Sequence, residues 1–278
     1  MPDDCYLVGY ADDIAAVITA RNIDMARRRL TQVMIRTQTW LDSHGLSLAA
    51  EKTELILLTR KHIPLEVNMQ VHSETIKTTR TLKYLGIRMD NKLTYWAQIQ
   101  HAAKKSANIT MALSKLMANT GGPLASRRKL LMDTTQSVLL YGSEIWADTL
   151  NVEHRRKVLA KVQRTAALRV ASAYRTVSEP AVLVISGVIP IDLLAKERRQ
   201  LWLWKKDGIE IHMATRQQAR KQTLELWQDR WTRERKGRWT AKLIKEIEKW
   251  HSRKHGEAPQ PANERHNSVL GLSEAAVD

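Results

Sequence analysis

Two apolar runs open the chain, CYLVGY (5–10) and IAAVI (14–18), with only Ala11, Asp12 and Asp13 between them. Short apolar runs around so small a gap predict a β-hairpin with an acidic tip. From about Asn22 to His44 the apolar positions Ala26, Leu30, Val33, Trp40 and Leu41 recur at helical spacing. Asn22 or Asp24 can cap that helix and Gly45 can end it. TELILLT (53–59) and KYLGIRM (83–89) read as further strands, and VNMQVHSETIKTT (67–79) as a hairpin between them. From Leu93 onward the period changes to that of helices. Trp96, Ile99, Ala103, Ala107, Leu113 and Leu116 mark one, closed by GGP at 121–123. A second spans about Ser126 to Leu140, and a third about Val152 to Ala171 on Leu159, Val162, Ala166 and Val170. After VSEP (177–180) the pattern resumes through Leu193 to Trp204, then runs as one long helical region from about Thr215 to His251. The fold class expected is therefore α+β at the N-terminus followed by mostly α, with no internal repeat. Residues 257–278 hold too few bulky apolar side chains to pack and are expected to be disordered.

Charge adds a partner to this picture. The net charge is +16, yet residues 1–100 carry 13 Lys/Arg against 11 Asp/Glu while residues 101–278 carry 32 against 18. An excess on that scale points to a polyanion, of which nucleic acid is the usual one; the alternative is a solvated basic helical surface. Within 196–255 there are 18 Lys/Arg and 8 Asp/Glu, interleaved with Trp202, Trp204, Trp227, Trp231, Trp239 and Trp250. Aromatics amid basic residues can stack on single-stranded bases, although Trp227 and Trp231, four apart, also read as a packing stripe. Arg216, Arg220, Arg230, Arg233, Arg235, Lys236 and Arg238 are the candidate phosphate contacts, which would make binding salt-dependent and sequence-tolerant. One cysteine, Cys5, excludes an internal disulfide and a cysteine-rich zinc site and suits a reducing, intracellular compartment, nucleus or cytoplasm. No apolar run approaches the roughly 20 residues of a membrane span, and MPDDCYLVGY has no basic region ahead of its apolar stretch as a secretory leader would. Nothing in the sequence speaks to oligomeric state.

The acidic tip is the main candidate for chemistry. Adjacent carboxylates repel unless a cation lies between them, and hard divalent ions such as Mg²⁺ or Mn²⁺ prefer such oxygens. Two of these ions about 3.5–4 Å apart drive polymerases and nucleases. Taken alone, Ala-Asp-Asp is matched equally well by a solvated turn.

Three segments in order carry a resemblance. GYADDIAAVI (9–18) resembles the active-site hairpin of reverse transcriptases, LSLAAEKTELILLT (46–59) the palm segment that follows it, and LKYLGIRMD (82–90) the primer-grip hairpin. LLYGSEIWA (139–147), YRTVSEPAVLVISGVIPIDLLAKERR (174–199) and GRWTAKLIKEIEKWHSRKHGE (237–257) resemble the thumb and carboxy-terminal region of non-LTR (LINE-type) retrotransposon reverse transcriptases of arthropods. The resemblance implies RNA-directed DNA polymerase chemistry on an RNA template with a DNA primer or target, using Mg²⁺ or Mn²⁺ in the intact parent enzyme. It makes Asp12 and Asp13 metal-binding catalytic carboxylates and Lys52 the lysine that protonates leaving pyrophosphate, although a surface lysine is the commoner reading of such a position. Tyr10, Tyr84, Leu85 and Gly86 would contact the primer.

The implied organisation is a partial palm over 1–92, a thumb-like helical bundle over 93–175, a basic helical region over 176–256 and a tail over 257–278. Members of the family carry fingers and a strand with a third carboxylate ahead of the acidic hairpin. Here only Asp3 and Asp4 precede it, and the zinc-knuckle cysteines often found near the family's carboxy terminus are absent. The expectation is thus a carboxy-terminal fragment without polymerase activity of its own, with an unpaired palm-strand edge open to association. Two rival expectations are a non-catalytic nucleic-acid-binding remnant and a non-functional relic.

Overall fold

Asn22 decides where the first helix begins. Its side-chain oxygen accepts the Met25 N–H at 2.8 Å, satisfying a donor that the first helical turn leaves over. The computed structural model describes residues 4–59, 67–116, 122–123 and 125–255. That first helix, α1 (Ile23–Ser43), stops as Gly45 turns left-handed at φ 69°. Ahead of it stand β1 (Cys5–Tyr10) and β2 (Asp13–Ile18). After it come a 3₁₀ turn (Ala50–Lys52), β3 (Leu55–Ile56), β4 (Asn68–Val71), β5 (Glu74–Thr79), β6 (Thr81–Tyr84) and β7 (Ile87–Asp90).

Among the described residues these strands form three small sheets, β1–β2, β3–β5–β4 and β6–β7, with β3 parallel to β5 and the other pairs antiparallel. Each antiparallel pair is a hairpin closed by two residues. The first and last of the three turn at the Ala11-Asp12 and Leu85-Gly86 positions. A core of Leu30, Met34, Val67, Met69 and Val71 holds α1 to β4, with Ile18, Leu55 and Ile76 packed around it. The hairpin expected over 67–79 is therefore present. KYLGIRM is two strands rather than the one its pattern suggested, forming the hairpin that the resemblance implied over 82–90: Leu85 and Gly86 both take positive φ, 44° and 81°, and the chain reverses there. TELILLT keeps only two strand residues. On α1 the stripe is also shifted. Met34 joins Leu30, Val33 and Leu41 inside, while Trp40 is 56% exposed and stacks on His44 with ring centres 4.2 Å apart.

The remaining chain is helical: α2 (Trp96–Lys115), α3 (Ala125–Leu139), α4 (Ser143–Trp146), a 3₁₀ stretch (Ala147–Asn151), α5 (Glu153–Val170), α6 (Glu179–Ser186), α7 (Ile191–Lys206), α8 (Met213–Arg233), α9 (Arg238–Leu243) and α10 (Ile247–His255). The α+β start and helical remainder thus stand as expected, and the tail over 257–278 lies outside the described residues. Contacts divide the described residues into two units, one running up to Lys104 together with Asp148–Arg155, the other built from Lys105–Ala147 and from Arg156 onward.

Within the second unit Leu131, Leu139, Trp146, Leu159, Val182, Val184 and Ile191 are fully buried. Polar side chains then bind the turns. The buried amide of Gln163 donates to the Ile189 carbonyl at 2.8 Å and accepts the Ile191 N–H at 2.9 Å, fixing the link between α6 and α7. Arginines reach carbonyls near helix ends: Arg198 donates to Leu140 just past α3, Arg199 to Glu144 and Ile145, and Arg128 to Pro123 just before α3 and to Arg169 near the end of α5. Arg164 holds the loop after α5 through the carbonyls of Arg175 and Val177. In the first unit Arg155 does the same for Thr94.

The long helix expected over 215–251 is three helices. The chain leaves α8 in extended conformation at Glu234 and turns at Gly237, φ 75°. Gln228 then clamps the link into α10, accepting the Ile247 N–H and donating to the Lys245 carbonyl, and Trp231 donates to the Ile244 carbonyl. Gly237 is required both for its φ and for space, because a Cβ there would stand 2.9 Å from the Ala181 Cβ.

Gly237→Ala is expected to cost more than about 1 kcal/mol, read as a lowered Tm in thermal unfolding. A second expectation concerns Glu179. Burial holds its carboxyl above the ordinary range, Arg156 pulls it partly back, and Asp192 pushes it up again. The folded protein therefore binds this proton more tightly than the unfolded chain, so stability falls as pH rises from the unfolded pKa through the folded one. Glu179→Gln should raise Tm at pH 7 and gain less, or nothing, at pH 4.

Candidate active site and nucleic-acid interface

The acidic tip is made by register. Tyr10 pairs with Asp13 across β1–β2, which leaves Ala11 and Asp12 as the turn and makes Asp13 the first residue of β2. Ala11 takes φ 52°, a left-handed value uncommon for a residue with a Cβ, and the reversal brings the two aspartates out at the end of the ribbon. Both are exposed. At the other end the ribbon is anchored: the Thr19 N–H and hydroxyl both donate to the Asp4 carbonyl at 3.0 Å, and Arg29 of α1 donates to the Thr19 carbonyl and pairs with the Asp4 carboxylate. Between anchor and tip the ribbon is bare. Cys5 is buried, while Tyr6, Leu7, Val8, Tyr10, Ile14 and Val17 are all exposed, and neither outer edge meets a strand among the described residues.

Carboxylate oxygens are the donors that Mg²⁺ and Mn²⁺ take. Among the described residues no group of three His, Cys, Asp or Glu side chains is placed to hold a metal ion. Asp12 and Asp13 suit one hard cation that fills its remaining positions with water or phosphate oxygens, a common way of holding magnesium. They do not by themselves make a cage for two.

Lys52 ends the 3₁₀ turn with its side chain exposed. Two residues on, Glu54 accepts the Lys83 N–H at 3.2 Å and so buttresses β6 directly beside Tyr84. Tyr84 is half-buried, Leu85 exposed, and Gly86 completes the turn. The acidic and Leu85-Gly86 hairpins belong to separate sheets. Glu54 and Arg29 brace the two hairpins, and reading for chemistry alone passes over them; the Lys-Thr-Glu run at 52–54 was the available signal for the first.

The basic candidates separate into two kinds. Arg230 makes a two-point pair with buried Asp192, at 2.9 and 2.6 Å, and Arg220 a forked one with buried Glu197, at 2.8–3.1 Å. Those two guanidiniums hold α8 to α7. Arg233 is exposed and pairs along the helix with Asp229, Arg238 donates to the Glu234 carbonyl, and Arg235 and Lys236 are exposed on the loop between α8 and α9. Glu234 folds its carboxylate back onto the N–H groups of residues 235 and 236. Arg230, Arg233, Arg235 and Lys236 line one open hollow of about 620 Å³ with Leu226, Asp229 and Glu234. Half-buried Arg216 lies 17 residues before Arg233 on the same helix, about 25 Å away at 1.5 Å per residue, and so outside that hollow.

The chain's homologues are Pol and RNA-directed DNA polymerase proteins of arthropod non-LTR retrotransposons. It is 25% identical over 242 residues, 82% of its length, to the putative 115 kDa protein in type-1 retrotransposable element R1DM of Drosophila melanogaster. It is 24% identical over 260 residues, 86% of its length, to a retrovirus-related Pol polyprotein from type-1 retrotransposable element R1 2 of Nasonia vitripennis. Over 152 residues it is 24% identical to the RNA-directed DNA polymerase from mobile element jockey of Drosophila melanogaster. The alignments span 24%, 63% and 16% of those three relatives' own lengths, so the chain corresponds to a portion of each. No protein-family model matches it, and no solved structure does. No helix among the described residues is long and apolar enough to cross a membrane.

The split among the arginines has a direct test. Arg230→Lys keeps the charge and loses the two-point contact, leaving buried Asp192 short of a donor at a cost of about 1–3 kcal/mol. Its Tm should fall, whereas Arg233→Lys should leave Tm unchanged in the same melt.

Proposed function

We propose that this chain is part of an RNA-directed DNA polymerase of a non-LTR retrotransposon, with the acidic hairpin as its metal-bearing element and the basic helices as its hold on nucleic acid. The observation that carries the reading is the register of β1–β2, which sets Asp12 and Asp13 side by side at the exposed end of an anchored ribbon. In the intact parent these two carboxylates would hold Mg²⁺ or Mn²⁺, which when bound supplies Lewis-acid activation of a primer 3′ hydroxyl and neutralises phosphate charge. Lys52, exposed at the end of its turn, is the proton donor to leaving pyrophosphate. Tyr10 flanks the primer end from the acidic hairpin, and Tyr84, Leu85 and Gly86 hold it from the second hairpin, whose strand Glu54 steadies.

Arg235, Lys236, Arg233 and Arg238 lie where template RNA or target DNA can meet them, and the hollow at the end of α8 gathers three of them. Arg220 and Arg230, paired with Glu197 and Asp192, serve instead to hold α8 to α7. The division proposed is palm over 1–92, thumb over 93–175 and a nucleic-acid-holding region over 176–256.

A second reading is favoured by Arg233, Arg235 and Lys236 around the hollow at the end of α8: a hold on nucleic acid that does not depend on the acidic hairpin.

Crosslinking separates position from turnover. A DNA primer carrying 4-thiothymidine at its 3′ end, annealed to RNA and irradiated with the purified chain, should label the peptides holding Tyr10–Asp13 and Tyr84–Gly86. Labels confined to other peptides would remove the polymerase reading. In a parallel extension assay with Mg²⁺ and deoxynucleotides, no product is expected from the chain alone. Product that disappears on Asp12→Ala would show instead that the pair is sufficient.

A further inference from the structure

The tryptophans of the basic half are not alike. Trp227 and Trp231 are buried, Trp231 donating to the Ile244 carbonyl, and Trp250 donates to the Val184 carbonyl at 2.7 Å. These are packing residues, and the N–H groups of Trp231 and Trp250 are spent. Trp239 is the opposite: on α9 it is 79% exposed, with Leu243 one turn on at 83%. A large aromatic left in water amid charge is the informative kind of exposure.

What surrounds it is positive. Residues 233–245 hold Arg233, Arg235, Lys236, Arg238, Lys242 and Lys245 against one acid, Glu234, whose carboxylate is turned onto backbone N–H groups. The Lys242 ammonium lies 4.8 Å from the Trp239 ring centre, over one face. The hollow lined by Arg233, Arg235 and Lys236 ends two residues before α9 begins. The support is firm as well. Gly237, immediately before α9, sits so close to Ala181, Ser178 and Trp231 that no side chain fits, which welds the loop onto α6 and α8.

We infer that Trp239 is a base-stacking platform for single-stranded nucleic acid, whose phosphates run over Arg235, Lys236 and Lys242. The inference rests on the nucleic-acid reading above and names the form of nucleic acid taken. Charge complementarity selects a polyanion, and the exposed indole selects among polyanions. A single strand offers an open π-face at every unit, whereas a duplex buries its faces in its own stack. The ring face opposite Lys242 receives the base, and the ammonium stays free to meet the phosphate beside it.

Fluorescence anisotropy with a labelled 15-nucleotide oligo(dT) and a 15-base-pair duplex, each over a KCl series, tests this with the full chain. Trp239→Ala should weaken single-strand binding about 5- to 100-fold at unchanged salt slope, leave duplex binding within about twofold, and leave Tm unaltered because the ring is exposed. Trp239→Phe should retain most of the affinity. Arg235→Ala and Lys236→Ala should each reduce the single-strand salt slope by about 0.7. If the wild type binds both probes and Trp239→Ala changes neither, the stacking platform is wrong while nucleic-acid binding stands. Equal losses on single strand and duplex also overturn it. So does a loss confined to phosphatidylserine vesicles, which would make the patch a membrane contact. If the wild type binds no oligonucleotide at 50 mM KCl, the nucleic-acid reading itself fails.

Discussion

Arginine reaches across the second unit to carbonyls at the ends of its helices. Each helix exposes a final turn of acceptors, and a bundle of short helices multiplies those ends. Arg128, Arg198 and Arg199 answer them across gaps of 41 to 58 residues, far beyond the reach of a local cap. A guanidinium suits the task because its donors are many, fan out in a plane and sit on a long stem that packs as it reaches. A carbonyl, unlike a carboxylate, leaves the cation's charge uncancelled. Part of the net +16 is thus a by-product of how the helices are joined. The pairs of Arg220 with Glu197 and of Arg230 with Asp192 behave differently, since there the fold consumes the charge as well as the donors.

The two ends of the chain use opposite means to present polar groups. The acidic pair stands on a ribbon with almost no packing of its own, secured at its base by Thr19, Asp4 and Arg29. The basic loop between α8 and α9 is secured from beneath, where Gly237 permits contact too close for any side chain. The second hairpin lies between these cases, with Glu54 bracing one strand and left-handed Leu85 and Gly86 closing the turn.

What could be read beforehand followed local chemistry. Asn22 and Gly45 mark both ends of α1 because a cap and a left-handed stop act within a turn of themselves. The acidic tip was readable because only three residues separate its apolar runs, and the 67–79 hairpin because its apolar positions alternate. Tertiary geometry hid the rest. Trp40 fits a helical stripe by spacing, yet the sheet under α1 takes Met34 instead. Charged composition from 215 to 251 carries one helical period through two breaks, and Gly237 alone hints at the first. That Arg220 and Arg230 are joined to acids 23 and 38 residues away is written nowhere in their neighbourhood, so they looked the same as Arg235.

The bare ribbon carries a thermodynamic consequence. Two strands alone are marginal in water, and six exposed apolar side chains on β1 and β2 have nothing against them within the described residues. The separation of the two carboxylates at its tip is therefore a fluctuating quantity, narrowed only when the ribbon's faces and edges are covered. A cover there would lower the ordering cost of gathering a cation between Asp12 and Asp13, and a cation so gathered, as proposed, would favour the covering by the same free energy. Ion affinity at the tip and association along the strands would then be two readings of a single coupled equilibrium.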